Sequence, residues 1–164
     1  MANTYTQIYL HIVFSVKGRL NLIQKDWKEE LHKYICGIVN GKDKYICGIV
    51  NGKEQKVYAI GGVADHIHIL VSIKPNIALS DLVRDIKASS SKWINEKGLV
   101  KEKFQWQEGF GAFSYAQSQL DTVIAYINNQ EQHHKKKTFR DEYLELLQKF
   151  DVGYDEKYLF EWIE

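Results

Sequence analysis

From Val63 to Val71 the chain reads Val-Ala-Asp-His-Ile-His-Ile-Leu-Val, two histidines one residue apart inside an apolar, β-branched run. Such a run is strand chemistry, and a strand sends alternate side chains to opposite faces. Ile67, Ile69 and Val71 then face a core, while His66 and His68 point together to the other side. Their Cβ atoms lie roughly 7 Å apart, a spacing at which two imidazoles converge on one ion. The fold must therefore contain a sheet with one apolar face and one face that accepts paired imidazoles.

The rest of the pattern supplies that sheet and its cover. Thr4 to Val16 alternates, with Ile8, Leu10, Ile12 and Phe14 on one side and Tyr9, His11 and Val13 on the other. Gly18 breaks this strand between Lys17 and Arg19. From Gln24 the period becomes helical, with Trp27, Leu31, Tyr34, Ile35 and Ile38 on one stripe. Lys56 to Gly61 predicts a second strand, joined through Gly61-Gly62-Val63-Ala64 to the histidine strand, Asp65 to Ile73. A second helix carries Leu79, Leu82, Val83, Ile86, Trp93 and Ile94 inward and ends at Gly98. Lys101 to Gly111 reads as a loop and Ala112 to Ala116 as a fourth strand. Ser118 is the expected N-cap of a helix that runs past Gln130 with Leu120, Val123, Ile124 and Ile127 inward. A last helix spans about Phe139 to Phe150, and Tyr154, Tyr158, Leu159, Phe160 and Trp162 of the tail need something to pack against.

Strand, helix, strand, strand, helix, strand is the order of a split βαβ unit of the ferredoxin-like or RRM-like kind. The expected fold is α+β: an antiparallel sheet of four to five strands with helices on one face. The histidines then project onto the other, open face. One domain, 1–164, accounts for the length, with residues 139–164 as its C-terminal helix and tail.

Lys33 to Lys42 reads KYICGIVNGK and Lys44 to Lys53 repeats it letter for letter, a period of eleven residues within 33–54. Eleven residues are about three helical turns, so a second copy can extend a helix in phase. The Asn-Gly pairs argue instead for an enlarged surface loop. Cys36 and Cys47 hold the same place in the two copies and read as reduced, small apolar residues of a cytoplasmic protein rather than a disulfide. No apolar run approaches a membrane span and no signal-peptide profile opens the chain, so no membrane partner is expected. The formal net charge is only +1, which leaves any nucleic-acid contact to local patches.

Chemistry concentrates further down the chain. Tyr126 and Gln130 are four apart, so both emerge on one helix face with Cβ atoms roughly 6 Å apart. A phenol is a poor nucleophile near neutrality, and a divalent ion that polarises its target makes it useful. Two imidazoles and an amide oxygen form an incomplete shell that suits Mg²⁺ or Mn²⁺ once phosphate oxygens complete it. His11 shares the open face and is a candidate outer partner of the site. Lys17, Arg19, Lys87 and Lys92 are candidate DNA-backbone contacts. Trp106 and Phe110 can stack on bases or fill the core. Tyr115 has no glutamine one helical turn away and reads as packing, Asp65 as a turn residue, and His133 and His134 as a solvated helix end.

The histidine–apolar–histidine strand, the Tyr126-x-x-x-Gln130 helix and the stretch Trp106-Gln107-Glu108-Gly109-Phe110-Gly111-Ala112-Phe113-Ser114 resemble the single-tyrosine HUH transposases of small bacterial insertion sequences, the IS200-like kind. The likeness extends past His133-His134 and Thr138-Phe139, and only the duplication departs from the pattern. It implies that Tyr126 attacks a phosphodiester of single-stranded DNA, giving a 5′-phosphotyrosine and a free 3′-hydroxyl. It also implies that His66, His68 and Gln130 hold the metal, Mg²⁺ or Mn²⁺. The implied partners are DNA hairpins at element ends and a second copy of the chain. The alternatives are a related HUH nuclease acting on repetitive palindromes or replication origins, a metal hydrolase using water, and a non-catalytic nucleic-acid-binding module.

Overall fold

The structure, a computed structural model, describes residues 3–40 and 55–159. Its elements are β1 (Tyr9–Ser15), α1 (Lys25–Asn40), β2 (Lys56–Val63), β3 (His66–Ser72), α2 (Leu79–Glu96), β4 (Gly111–Tyr115), α3 (Leu120–Asn128), α4 (Gln130–His133) and α5 (Phe139–Lys149). The strands form one sheet in the order β2-β3-β1-β4, and every neighbouring pair is antiparallel. This is the split βαβ sheet expected from the element order. Residues 33–40 of the first repeat copy form the end of α1; the remainder of that copy, the second copy and Cys47 lie outside the described residues. No described helix is long and apolar enough to cross a membrane.

Alternation in the strands sorts the two faces. Ile12 and Phe14 of β1 and Ile67, Ile69 and Val71 of β3 meet Trp27, Leu31, Ile35 and Ile38 of α1 and Leu82, Val83, Ile86 and Ile94 of α2 in the main core. Phe104 and Trp106 fold back into the same core, and Trp106 pairs with Val16 beyond the end of β1.

The opposite face is not left open within the monomer. Leu120, Val123 and Ile127 of α3 cover Tyr9, Ala59 and Leu70, while Phe139, Tyr143, Leu146 and Leu147 of α5 cover Val13 and Phe113. His11, His66 and His68 are consequently buried beneath them. The C-terminal helices carry enough apolar surface to need a partner, and the imidazole face supplies it.

Two local expectations fail at α3. The chain enters through a tight turn, Gln117–Gln119, and the Ser118 hydroxyl caps nothing; instead the Gln119 side-chain oxygen accepts from the Ala116 N–H at 3.0 Å. The helix also stops at Asn128 rather than passing Gln130, because Asn129 leaves helical geometry at φ −102° and ψ 21°. The Tyr126 carbonyl accepts from the Asn129 backbone N–H at 3.3 Å and from the Gln130 side-chain amide at 3.3 Å, so the last turn is closed from both. Tyr154 and Tyr158 of the tail remain exposed, while Leu159 packs beside the α5 cluster. Phe160 and Trp162 lie outside the described residues.

Gly61 fixes how closely α3 approaches the sheet. A Cβ there would lie 2.2 Å from the Ile127 carbonyl oxygen, a backbone atom that cannot rotate away. Gly61→Ala is expected to push α3 off β2 and cost about 3 kcal/mol, read as a lowered denaturant midpoint. An unchanged midpoint would show that α3 is not seated on β2. Because Tyr126 precedes Ile127, the same displacement would move the phenol.

Candidate active site on the imidazole face

Register places the histidines before any side-chain contact is considered. In the β1–β3 pairing, Ser15 lies opposite His66, Val13 opposite His68 and His11 opposite Leu70, so the three imidazoles share one face. Asp65, in the turn before β3, sets its carboxylate 2.6 Å from His66 Nδ1. His11 Nε2 lies 2.7 Å from His68 Nδ1, with the two rings stacked 4.9 Å apart. Each β3 imidazole is thus held by its Nδ1, and both turn Nε2 toward α5. Holding the remote nitrogen is how a histidine is oriented for service at the other.

Glu142 waits there. Thr138 caps α5, its hydroxyl accepting from the Asp141 N–H at 3.2 Å, which seats Glu142 in the first turn. Glu142 Oε1 lies 2.9 Å from His68 Nε2, 3.3 Å from His66 Nε2 and 3.1 Å from His134 Nε2. Its other oxygen, Oε2, accepts a short hydrogen bond from the Tyr126 hydroxyl and lies 3.1 Å from His133 Nε2. Gln130 Oε1 completes the group, 3.0 Å from His134 Nε2 and 3.4 Å from His66 Nε2. Phe139 stacks on His66 at 4.1 Å and closes that side.

Four residues named from the sequence, His66, His68, Tyr126 and Gln130, are therefore neighbours within one chain. The Tyr126 ring lies 5.9 Å from that of His68 and 6.2 Å from that of His11. His133 and His134, expected at a solvated helix end, face the cluster instead. Glu142 escaped the sequence reading altogether. Its signal was present: Phe139, Glu142, Tyr143 and Leu146 follow the i, i+3, i+4, i+7 stripe, so a carboxylate sits in the apolar face of α5.

Electrostatics follow from this enclosure. Burial alone would raise the Glu142 pKa, yet hydrogen bonds with His134, His66 and His68 hold it far below the usual carboxylate range. Desolvation brings His68 down to about 4, and burial with the neighbouring His68 holds His11 well below its ordinary value. His66 moves the other way, because its bonds to Asp65 and Glu142 overcome burial. Burial, then the Glu142 carboxylate, push the Tyr126 phenol well above its ordinary value. Among the described residues the ligand atoms of His66, His68, His134 and Glu142 all lie within 4.8 Å of one another. This mixture of imidazole nitrogen and oxygen fits a divalent cation.

The candidate DNA contacts divide. Trp106 is a core residue whose indole N–H donates to Ser90 Oγ at 2.8 Å, so it does not offer a face for stacking. Lys87 is tied to the carbonyls of Gln107 and Gly109 at 2.7 and 2.5 Å, and burial brings its pKa down to about 8. It anchors the loop rather than presenting a free charge. Lys17 and Lys92 are exposed, Arg19 and Phe110 half-buried. Lys17, Arg84, Lys92, Lys103 and Phe110 line a cleft of about 910 Å³. A smaller cavity of about 230 Å³ lies beside the phenol, lined by Tyr115, Tyr126, His133, Glu142 and Lys149 among others. Tyr115 packs against Phe150 at 5.2 Å.

An α+β antiparallel sheet carrying paired imidazoles beneath a helix-borne tyrosine defines the class of protein, and comparison with known proteins agrees. The family described as "Transposase IS200 like" matches residues 4–130, and the chain belongs to that family. Among solved structures it is similar to a candidate transposase of Deinococcus radiodurans R1, at 15% identity over 78% of this chain and 94% of that one, with a TM-score of 0.59. It is also similar to a REP-associated tyrosine transposase bound to a REP hairpin, at 14% identity over 76% of this chain and 67% of that one, with a TM-score of 0.52. Identities this low speak for the fold alone. No curated protein sequence matches it.

Proposed function

We propose that this chain cleaves and rejoins single-stranded DNA at insertion-sequence ends, with Tyr126 as nucleophile and His66, His68 and Gln130 as holders of Mg²⁺ or Mn²⁺. The observation that carries the reading is the Tyr126 hydroxyl meeting, within one chain, the carboxylate that also touches both β3 imidazoles. Family membership supports the same reading.

The chemistry is a transesterification. The Tyr126 oxygen bonds to phosphorus, the bond from phosphorus to the 3′-oxygen breaks, and a 5′-phosphotyrosine and a 3′-hydroxyl result. The phenolic proton is already directed at Glu142 Oε2, the acceptor placed to receive it. A bound divalent cation supplies Lewis-acid polarisation of the phosphate and stabilises the departing oxygen. Attack by a 3′-hydroxyl reverses the linkage, so no ATP is consumed. Asp65 and His11 keep the imidazoles in register throughout. The basic side chains of the cleft, Lys17, Arg84, Lys92 and Lys103, supply groups for contact with the strand's phosphate backbone. A hairpin-bearing strand and a second copy of the chain are the partners of this proposal; the exposed Val152, Tyr154 and Tyr158 are apolar surface such a copy can cover.

Incubation with labelled single-stranded element ends, with and without Mn²⁺ or Mg²⁺, tests it. The expected product is a denaturation-resistant protein–DNA conjugate that requires metal. Cleavage without conjugate would indicate a hydrolase using water, and retention of the strand with neither product a binding module.

A further inference from the structure

We infer that the cavity of about 230 Å³ beside the Tyr126 phenol is a nucleobase pocket, which takes the unpaired base next to the phosphate that Tyr126 attacks. The inference deepens the proposed function and rests on it for Tyr126 as the nucleophile.

Two helical rows and one strand end build the cavity. Thr122 and Tyr126 stand four apart on α3 and share one helix face. Glu142, Glu145, Leu146 and Lys149 follow the i, i+3, i+4, i+7 stripe of α5 and form the facing wall. Tyr115, the last residue of β4, closes a third side. Val123, Glu142 and Leu146 are buried, whereas Thr122, Glu145 and Lys149 are exposed, so the cavity opens to solvent between the two helices. His66, His68 and Gln130 do not line it. Glu142 stands between the two regions, with Oε1 facing the β3 imidazoles and Oε2 the Tyr126 hydroxyl. A nucleotide whose phosphate sits at the imidazoles can therefore lay its base on the other side of the phenol.

Size, charge and surface chemistry select a base. Pockets that enclose drug-sized ligands run to roughly 300–1,000 Å³, and this smaller one suits a flat ring system rather than a whole nucleotide. Glu142 and Glu145 set two carboxylates on its wall against the single ammonium of Lys149, so a phosphate is repelled and a neutral group admitted. Tyr115 and His133, whose ring lies 5.1 Å from that of Tyr126, offer aromatic surface to a base face, which every base has. The mouth is polar. Lys149 Nζ stands 5.5 Å from the centroid of the Tyr115 ring, placed to donate to a base carbonyl, while Glu145 and Thr122 can accept from a base amino group.

Single-stranded element ends carrying one abasic site, moved nucleotide by nucleotide through the unpaired segment, test the pocket on the full-length chain. At one position, adjacent to the cleavage step, loss of the base should slow conjugate formation by about 10-fold or more. Thr122→Trp fills the mouth from an exposed helix position and should bring the intact strand down to the rate of that abasic strand. Tyr115→Phe keeps the ring and should preserve the sensitivity. A 4-thiothymine moved through the same segment gives a readout that needs no cleavage. Under ultraviolet light one position should crosslink to Tyr115, His133 or Lys149, and Thr122→Trp should abolish that crosslink. Rates indifferent to every abasic position, sensitivity unchanged in a folded Thr122→Trp protein, or crosslinks confined to the cleft of Lys17 and Lys103 would each overturn the inference. Conjugate formation alongside those negative results leaves the transposase reading standing. Crosslinks at Tyr115 or Lys149 with no conjugate under any metal would keep the pocket and remove Tyr126 as nucleophile.

Discussion

Tyr126→Phe is expected to remove conjugate formation altogether, because phenylalanine has no oxygen with which to bond phosphorus. A loss of at least about 10⁴-fold, down to the assay's floor, is the scale for a covalent nucleophile. The fold should survive. The variant loses one hydrogen bond to a buried carboxylate, which costs about 1–3 kcal/mol and leaves Glu142 Oε2 beside His133. Binding of a hairpin-bearing strand should persist, since no phosphate-contacting charge has changed. Tyr115→Phe is the matched control: it lines the same cavity but packs on Phe150, and should keep conjugate formation. Conjugate that persists without the Tyr126 hydroxyl and disappears without that of Tyr115 would transfer the nucleophile's role to Tyr115.

His66→Ala combines a catalytic and a structural loss. Its ring is wholly buried, lies between the carboxylates of Asp65 and Glu142, and stacks on Phe139. Truncation leaves two acidic groups short of a partner and a void under α5. Breaking one partner out of a buried charged cluster costs about 3–5 kcal/mol, and the void adds to that. The expected outcome is a markedly lowered denaturant midpoint, no conjugate with any divalent metal, and no stabilisation by metal addition. Near-wild-type conjugate in a folded His66→Ala protein would remove the imidazole pair from the mechanism.

These two expectations rest on very different amounts of sequence information. The β3 pattern is local: alternation between Ile67-x-Ile69-x-Val71 and His66-x-His68 can be read without any other element, and the register honours it. The α1 and α2 stripes are equally local, and most of their deeply buried residues were legible from spacing, though Val39 and Ser90 were not. The end of α3 was not, because Asn129 leaves helical geometry with no glycine or proline nearby to announce it. Trp106 and Lys87 were ambiguous for a related reason. A side chain amphipathic enough to meet nucleic acid is also able to meet its own core or its own loop carbonyls.

By itself, then, the sequence determined the two-faced sheet, its covering helices and the types of group available for chemistry, since each depends on spacing along a single element. Only the tertiary structure decided that α5 lies on the imidazole face and brings Glu142 and His134 to it. That choice depends on which buried surface a C-terminal helix finds to cover. Contacts across 74 positions of chain, such as His68 with Glu142, leave no periodic trace in either segment.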